Sequence, residues 1–410
     1  MIKKLNLREY VKQKGGLWAT GSIDVMFFAF LLLIVVIGLV MLYSASYVYS
    51  YYQFNDSGVY FRKQLRNALI GLVLMLVVSR VNYRIFEDIG ALGGTALAWL
   101  LLLIARIMPA HNGTHRHIYI TETLQFQPSD LAKFTLILTL AALLTKYHSR
   151  IVSKKPLQSP LLAARINHAV GRPFFNDSLP PILICGVVIA VYAGLVLLGS
   201  HLSGTILILC IGVTMLFLGE VRGKWFVCGG VAAVAAFLIA IKTNLLKSYM
   251  SERIQAFVDK DFEPLGARWQ INQALYAIGS GGLFGKGLGN STMKHLYVSE
   301  PQNDMIFSIV VEELGLVGAA LILVVFALLI WRGVVVGINC PHRYGALLAM
   351  GFVFQLGIQV VLNILVATDT VPNTGISLPF FSYGGTAIIV MLVQMGVVLG
   401  VSRDARIRRR

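Results

Sequence analysis

An uncharged run near the start of the chain indicates what kind of protein this is: residues 25–47 read VMFFAFLLLIVVIGLVMLYSASY. This run exceeds the roughly 20 apolar residues that cross a bilayer as an α-helix. The remainder of the 410 residues is similar, because 57% of the chain is apolar, only 13% is charged and the mean hydropathy is +0.74. Soluble domains carry about 25% charged residues. The sequence therefore predicts a polytopic membrane protein.

Ten windows of this kind lie along the chain and predict an all-α fold with ten transmembrane helices. The fifth and sixth windows come from one uncharged stretch, which we divide at residues 199–204, where small and polar residues cluster. The windows are residues 25–47, 64–78, 89–105, 131–145, 179–198, 205–218, 225–241, 305–331, 344–368 and 382–401.

The distribution of Lys and Arg predicts the orientation. With the N-terminus in the cytoplasm, 22 of the 35 basic residues fall in inner segments, as the positive-inside rule requires. Both termini are then cytoplasmic, as basic tails at residues 1–22 and 403–410 around one membrane domain at 23–402. The long loop at 242–304, between helices seven and eight, is extracellular. The net charge of +16 is a topology signal rather than a nucleic-acid surface.

The long outer loop ends in a group of acidic residues. Loops of this length without a domain of their own are usually functional, although its glycine-dense second half also fits a flexible linker with packing glycines. Asp304, where the loop meets helix eight, either complements the helix dipole or takes part in chemistry. Glu312 and Glu313 lie inside the helix, where an ionised group costs a few kcal/mol unless it is paired or hydrated. At least one of them should face the bundle interior.

Two further polar segments lie on the same predicted side. In residues 116–133, Asp130 and Lys133 are spaced i,i+3, so a local ion pair competes with a role in binding. Residues 372–385 break helix geometry repeatedly near the outer surface, which predicts a re-entrant segment lining a cavity. The histidines at 111, 115 and 117 have no supporting carboxylate or cysteine framework, so a solvated loop is favoured over a metal site. No cysteine lies in an outer loop, and no structural disulfide is expected.

Four motifs, in order along nearly the whole chain, resemble the SEDS family (shape, elongation, division and sporulation). They are QPSDLAK at 127–133, the run at 273–291, EPQND at 300–304 with EELG at 312–315, and LPFFSYGG at 378–385. Tyr60-Phe61 before Gln64, together with residues 300–303, resembles the FtsW division and sporulation branch more than the RodA elongation branch. The chain departs from the family pattern at residues 117, 202–203, 299 and 305.

The resemblance implies a ten-helix peptidoglycan glycosyltransferase of the bacterial plasma membrane that polymerises lipid II at the outer face. It implies a class B penicillin-binding protein as partner, with other divisome or elongation-complex membrane proteins, and no nucleic acid. The essential aspartate of the family corresponds to Asp304. A lipid II flippase and a non-catalytic divisome scaffold are the alternatives.

Glycan extension from a polyprenyl diphosphate needs a general base and positive charge on the leaving group. Asp304 is the candidate base, and Arg116, Lys133 and Arg253 are the candidate cations. A divalent cation, Mg²⁺ or Mn²⁺, could bridge the phosphates, although no metal site formed by protein residues is expected. The other candidate substrate-binding residues are Gln127, Ser129, Gln273, Gly287, Ser291 and Ser382.

Overall fold

A computed structural model describes residues 14–108, 118–121, 124–153, 176–199, 201–242, 253, 255–260, 263, 266 and 268–406. Most of these residues are helical. The helices are α1 (Val25–Phe54), α2 (Val59–Arg80), α3 (Ile89–Ile107), α4 (Pro128–Lys146), α5 (His148–Val152), α6 (Leu179–Leu198), α7 (Leu202–Leu218), α8 (Gly223–Lys242), α9 (Trp269–Gly281), α10 (Ile306–Ile338), α11 (Arg343–Ala367) and α12 (Ala387–Ser402), with a 3₁₀ helix at Tyr83–Phe86.

The described helices make this a multi-pass membrane protein. Six of them are long and apolar enough to cross a bilayer, namely α1, α3, α4, α6, α10 and α11, while α7 and α12 are shorter apolar helices. The first two turns of α2 carry Arg62, Lys63 and Arg66, which lower its mean hydropathy. Each predicted apolar window coincides with a helix over most of its length, although the last window begins five residues before α12. The expected break between the fifth and sixth windows is present, since α6 ends at Leu198 and α7 begins at Leu202.

Small residues allow the helices to pack closely. A Cβ atom on Gly396 of α12 would lie 2.6 Å from the backbone oxygen of Met75 in α2. Without hydrophobic driving force between helices in lipid, such close backbone approach is a main source of packing energy. The last apolar helix is therefore fixed against the second one rather than only against its sequence neighbours.

Two elements correct the expectation of a purely helical fold with one long irregular loop. Ile118–Thr121 and Leu124–Phe126 pair as antiparallel strands just before α4, because this segment has the β-branched and apolar residues that form a hairpin. The long loop contains α9, whose buried residues Ile271, Ala274 and Ala277 recur at helical spacing.

The start of α1 and the end of α12 lie at the same end of the bundle. The Asp24 amide donates to Ser402 Oγ (3.0 Å), and Arg403 donates to the Gly21 carbonyl (2.6 Å). Arg332, near the end of α10, forms an ion pair with Asp24 at 2.7 Å. Because α10 is 33 residues long, Asp304 at its start lies at the opposite end.

Candidate functional site

Asp304 lies immediately before α10, on a turn that neighbouring segments hold in place. The Asn363 side chain in α11 donates to the Asp304 carbonyl (2.8 Å), which fixes the backbone. Gln270, in the first turn of α9, donates from Nε2 to the Asp304 carboxylate at 3.3 Å. Asp304 itself is half-buried, so its carboxylate is rigidly placed but still reachable.

A guanidinium lies beside this carboxylate. A Cβ atom on Gly375 would lie 3.6 Å from Asp304 Oδ2 and 3.8 Å from Arg253 Nη1, so both groups border the same small space. Asn373 connects the surrounding groups: its carbonyl accepts from Arg253 (2.7 Å), and its Nδ2 donates to Gln270 Oε1 (3.2 Å). The structure thus brings together two of the predicted residues, Asp304 and Arg253.

A second polar group lies at the start of α4. Lys133 and Asp130 form an ion pair at 2.7 Å in which both side chains are almost fully buried. Within the described part of the chain, Ser129 Oγ and Asp130 Oδ2 are buried without a hydrogen-bond partner. Ser129 borders a crevice between α3, α4 and α6, which is lined by Leu102, Ala105, Pro128, Ser129, Leu195, Val196, Gly199 and His201. A buried hydroxyl without a partner beside this crevice indicates room for a polar group about the size of a water molecule.

The segment between α11 and α12 runs between these two groups. The Tyr383 amide donates to the Gln302 carbonyl (2.7 Å), two residues before Asp304. Thr386 accepts from the Gln127 amide (3.4 Å) at the start of α4. The predicted residue Ser382 stabilises the turn, because its Oγ accepts from the Leu378 amide at 2.7 Å. The irregular segment therefore borders both polar groups.

Glu312 and Glu313 form a third polar group, which we name the double-glutamate network. Both side chains are fully buried, and each has a lysine partner at 2.7 Å, Lys286 for Glu312 and Lys294 for Glu313. Hydroxyl groups supply further hydrogen bonds, from Ser44 to Glu313 and from Ser291 to Glu312. Buried charges are tolerated when they are paired and hydrogen-bonded in this way. The expectation that at least one glutamate faces the interior is confirmed.

A break in α10 accommodates this network. Gly315 has φ 69° and ψ −177°, a conformation open essentially to glycine alone. The amides of Lys286 and Gly287 donate to the carbonyls of Glu312 and Glu313, at 3.0 and 2.9 Å. The loop after α9 therefore replaces helical hydrogen bonds that the break removes.

The remaining predicted residues are distributed among these groups. Gly287 and Ser291 belong to the double-glutamate network, and Gln127 and Ser129 lie at the start of α4. Gln273 is buried on α9, one turn from Gln270. Arg116 and the three histidines lie outside the described residues.

Sequence reasoning missed Gln270, Asn373, Lys286 and Lys294. Their only signal was position: Gln270 begins the second half of the long loop, and Asn373 lies in the re-entrant segment. Lys286 lies among the glycines of that loop, and Lys294 follows them.

Comparison with known proteins gives consistent matches along the chain. The family model for cell cycle proteins of the FtsW, RodA and SpoVE type matches residues 24–407. The stage V sporulation protein E of Bacillus subtilis (strain 168) is 35% identical, over 94% of this chain and 98% of its own length. A protein of Geobacter sp. (strain M18), named as a probable peptidoglycan glycosyltransferase FtsW, is 34% identical over 90% of this chain and 94% of its own.

A solved structure has the same fold. It is a chain from work on the structural coordination of polymerization and crosslinking by a peptidoglycan synthase complex. That chain is 26% identical, with a TM-score of 0.72 over 93% of this chain and 98% of its own. The family model, the relatives and the fold agree over nearly the full length, and the chain belongs to the FtsW, RodA and SpoVE family of cell cycle proteins.

Proposed function

We propose that this protein is a peptidoglycan glycosyltransferase that polymerises lipid II into glycan strands during cell division or sporulation. One observation carries the proposal: the Asp304 carboxylate and the Arg253 guanidinium border one small space at the end of the bundle. The names of the Geobacter and Bacillus relatives support it, since one is a probable peptidoglycan glycosyltransferase and the other a sporulation protein.

The chemistry follows from these two groups. An acceptor sugar hydroxyl attacks the anomeric carbon of the donor, and the bond from that carbon to the diphosphate oxygen breaks as the new glycosidic bond forms. Asp304 takes the hydroxyl proton, a contribution typically worth about 10²–10⁴-fold in rate. Arg253 stabilises the negative charge that develops on the departing diphosphate. Lys133 and Arg116 are the further proposed contacts to the phosphates.

Among the described residues that border this space, the Asp304 carboxylate is a suitable ligand for a divalent cation. The described residues contain no group of three or more His, Cys, Asp or Glu that could hold a metal. Mg²⁺ commonly binds through one or two carboxylates and takes its other ligands from substrate phosphates and water, so a cation bound with the substrate fits this site. When bound, Mg²⁺ or Mn²⁺ would neutralise charge on the diphosphate.

The proposal includes location and partner. Ten helices cross the bacterial plasma membrane, with residues 1–22 and 403–410 as cytoplasmic tails of the membrane domain at 23–402, and Asp304 lies at the outer face. The hydrogen bond between Arg403 and Gly21 supports placing both termini on one side. A class B penicillin-binding protein crosslinks the product. The similar chain from a complex that coordinates polymerization and crosslinking supports such a partner.

The test is reconstitution of the purified protein in liposomes with labelled lipid II, with and without a class B partner whose transpeptidase is blocked. We expect gel-resolved glycan strands from the unmodified protein. Asp304→Asn keeps the size of the side chain but cannot take the proton, so glycan synthesis should fall by orders of magnitude. Asp304→Glu should restore little, because a shift of about one bond length spoils reactive geometry.

Asp259→Asn, which changes an exposed carboxylate of the same loop, is the matched control and should remain active. Long strands from folded Asp304→Asn protein would contradict the general-base role. Movement of fluorescent lipid II across the liposome membrane without polymer would favour the flippase. Inactivity of the unmodified protein in both assays, with normal binding to the partner, would favour the scaffold.

A further inference from the structure

The loop after α9 has an apolar tip that the rest of the described protein leaves uncovered. Leu283 is 60% exposed and Phe284 is 80% exposed. An exposed phenylalanine beside an exposed leucine is unfavourable in water, at about 25 cal/mol for each Å² of apolar surface. The tip therefore needs an apolar environment.

Three backbone hydrogen bonds hold the carbonyls at and just before the tip. The amide of Leu316 donates to the Gly282 carbonyl (3.0 Å), and that of Val317 donates to the Leu283 carbonyl (3.1 Å). The Gly285 amide donates to the Gly281 carbonyl (2.8 Å). The carbonyls of Gly281, Gly282 and Leu283 are thereby paired, as carbonyls at membrane depth must be.

The depth of the tip follows from its hydrogen bonds to α10. Trp331, which is 54% exposed, and the Arg332–Asp24 ion pair mark the opposite membrane interface, where aromatic and charged anchors concentrate. From Leu316 to Arg332 the helix rises about 24 Å at 1.5 Å per residue. The hydrocarbon core is about 30 Å thick. Leu316, and with it the tip, thus lies below the membrane surface at the Asp304 end.

The tip continues the lipid-facing surface of α10. Leu316 and Leu321 on that helix are 59% and 62% exposed and face outward from the bundle. The lysine closest in sequence to the tip, Lys286, is paired with Glu312 at 2.7 Å, so its charge is balanced. We therefore take lipid acyl chains as the molecules that surround the tip. The tip is apolar, the nearby lysine charge is balanced, and the tip is continuous with a membrane-facing helix.

We propose that Leu283 and Phe284 form a wedge inserted among the lipid acyl chains of the leaflet at the Asp304 end. The wedge and Asp304 belong to the same loop, and the backbone hydrogen bonds to α10 join them into one body. Insertion would thereby set the height of Asp304 relative to the membrane surface. This inference is independent of the proposed enzymatic activity.

The experiment measures spin-label accessibility in liposomes at a low protein-to-lipid ratio. Phe284→Cys and, as a second position, Leu283→Cys are made in the full chain without its four native cysteines and carry a nitroxide. The ratio of collision rates with oxygen, which concentrates in lipid, and with a water-soluble nickel chelate reports depth. Leu321→Cys is the lipid-facing control, and Ser299→Cys, exposed on the same loop, is the aqueous control.

We expect the oxygen-to-nickel ratio at both tip positions to approach that of Leu321→Cys and to exceed that of Ser299→Cys. A ratio at the aqueous level at both tip positions, with Leu321→Cys normal, would overturn the proposal. Protection from both reagents would also overturn it, because a protein surface, such as a second copy of the chain, would then cover the tip.

Discussion

Two side-chain amides hold the Asp304 neighbourhood together. Gln270 donates to the Asp304 carboxylate and accepts from Asn373, and the Asn373 carbonyl in turn accepts from Arg253. This chain of hydrogen bonds ties α9, the start of α10 and the segment before α12 to one carboxylate. The position of Asp304 therefore depends on residues that have no charge of their own.

The first prediction concerns Gln270. Replacing it with alanine removes one hydrogen bond to Asp304, with a net value of about 0.5–1.5 kcal/mol, which corresponds to a roughly 2- to 10-fold lower rate of glycan synthesis. Gln270→Glu should be more damaging, because it places a second negative charge beside the carboxylate. Tyr276→Phe, at an exposed position on α9, is the control and should not change the rate. An unaltered rate in both Gln270 variants would remove this residue from the site.

The second prediction concerns Lys133 and distinguishes substrate binding from a purely structural ion pair. If Lys133 holds the diphosphate, Lys133→Gln should lower lipid II use at limiting concentration by about 10- to 100-fold, the value of a charge-assisted contact. The informative control is the double variant Asp130→Asn with Lys133→Gln, which removes both buried charges together. Recovery of activity in the double variant would show that only the unpaired Asp130 was harmful.

The residues of the site differ in how well the sequence reveals them. Asp304 could be named because it lies at the edge of an apolar window and corresponds to the essential aspartate of the family that the chain resembles, and Arg253 could be named as a cation of the same outer loop. Gln270 and Asn373 could not, because an amide in a polar loop has no distinguishing pattern until the fold brings it to a carboxylate. Glu312 and Glu313 could be placed inside the bundle by their desolvation cost alone, but their lysine partners lie 26 and 19 residues away in a loop whose path no local rule determines.

At the scale of the elements, the length of apolar runs predicted the helices well. Short elements in the loops and a break within a helix were not predicted. Every predicted window coincides with a helix over most of its length, because in lipid the backbone must satisfy its own hydrogen bonds. The helix α9 and the strand pair before α4 lie outside the windows, where that constraint does not apply. The break in α10 was not predicted either, since Gly315 occurs in a run that otherwise favours an uninterrupted helix.

The third prediction tests that break. At Gly315 a Cβ atom would lie 2.3 Å from the Gly285 nitrogen, and the residue has positive φ, so Gly315→Ala should destabilise the protein by about 1–3 kcal/mol. Thermal unfolding in detergent measures the loss. Gly186→Ala in α6, where nothing lies within 4 Å of the added Cβ, is the matched control and should be neutral or slightly stabilising. Equal stability of the two variants would mean that the break is not required.

At the scale of the whole molecule, the distribution of basic residues and the connections between helices indicate the same orientation in the membrane. The end that contains Gly21 and Arg403 also holds the α10–α11 connection, because the Arg406 amide donates to the Asn339 carbonyl at 3.0 Å. The other end holds the loop that leads to Asp304. The excess of Lys and Arg in the segments of the first end predicts that this end is cytoplasmic.

The last prediction tests that membrane orientation in living cells. Single cysteines are introduced into a chain without its four native ones. Asn339→Cys and Ser299→Cys both replace exposed residues, at opposite ends of the bundle. An impermeant thiol reagent should label Ser299→Cys in intact cells, and it should label Asn339→Cys only after the cells are permeabilised. The proposed reaction depends on this result, because glycan strands that are made outside the membrane require Asp304 to face outward. Labelling of Asn339→Cys alone in intact cells would reverse the orientation and place the carboxylate on the side where no cell wall is built.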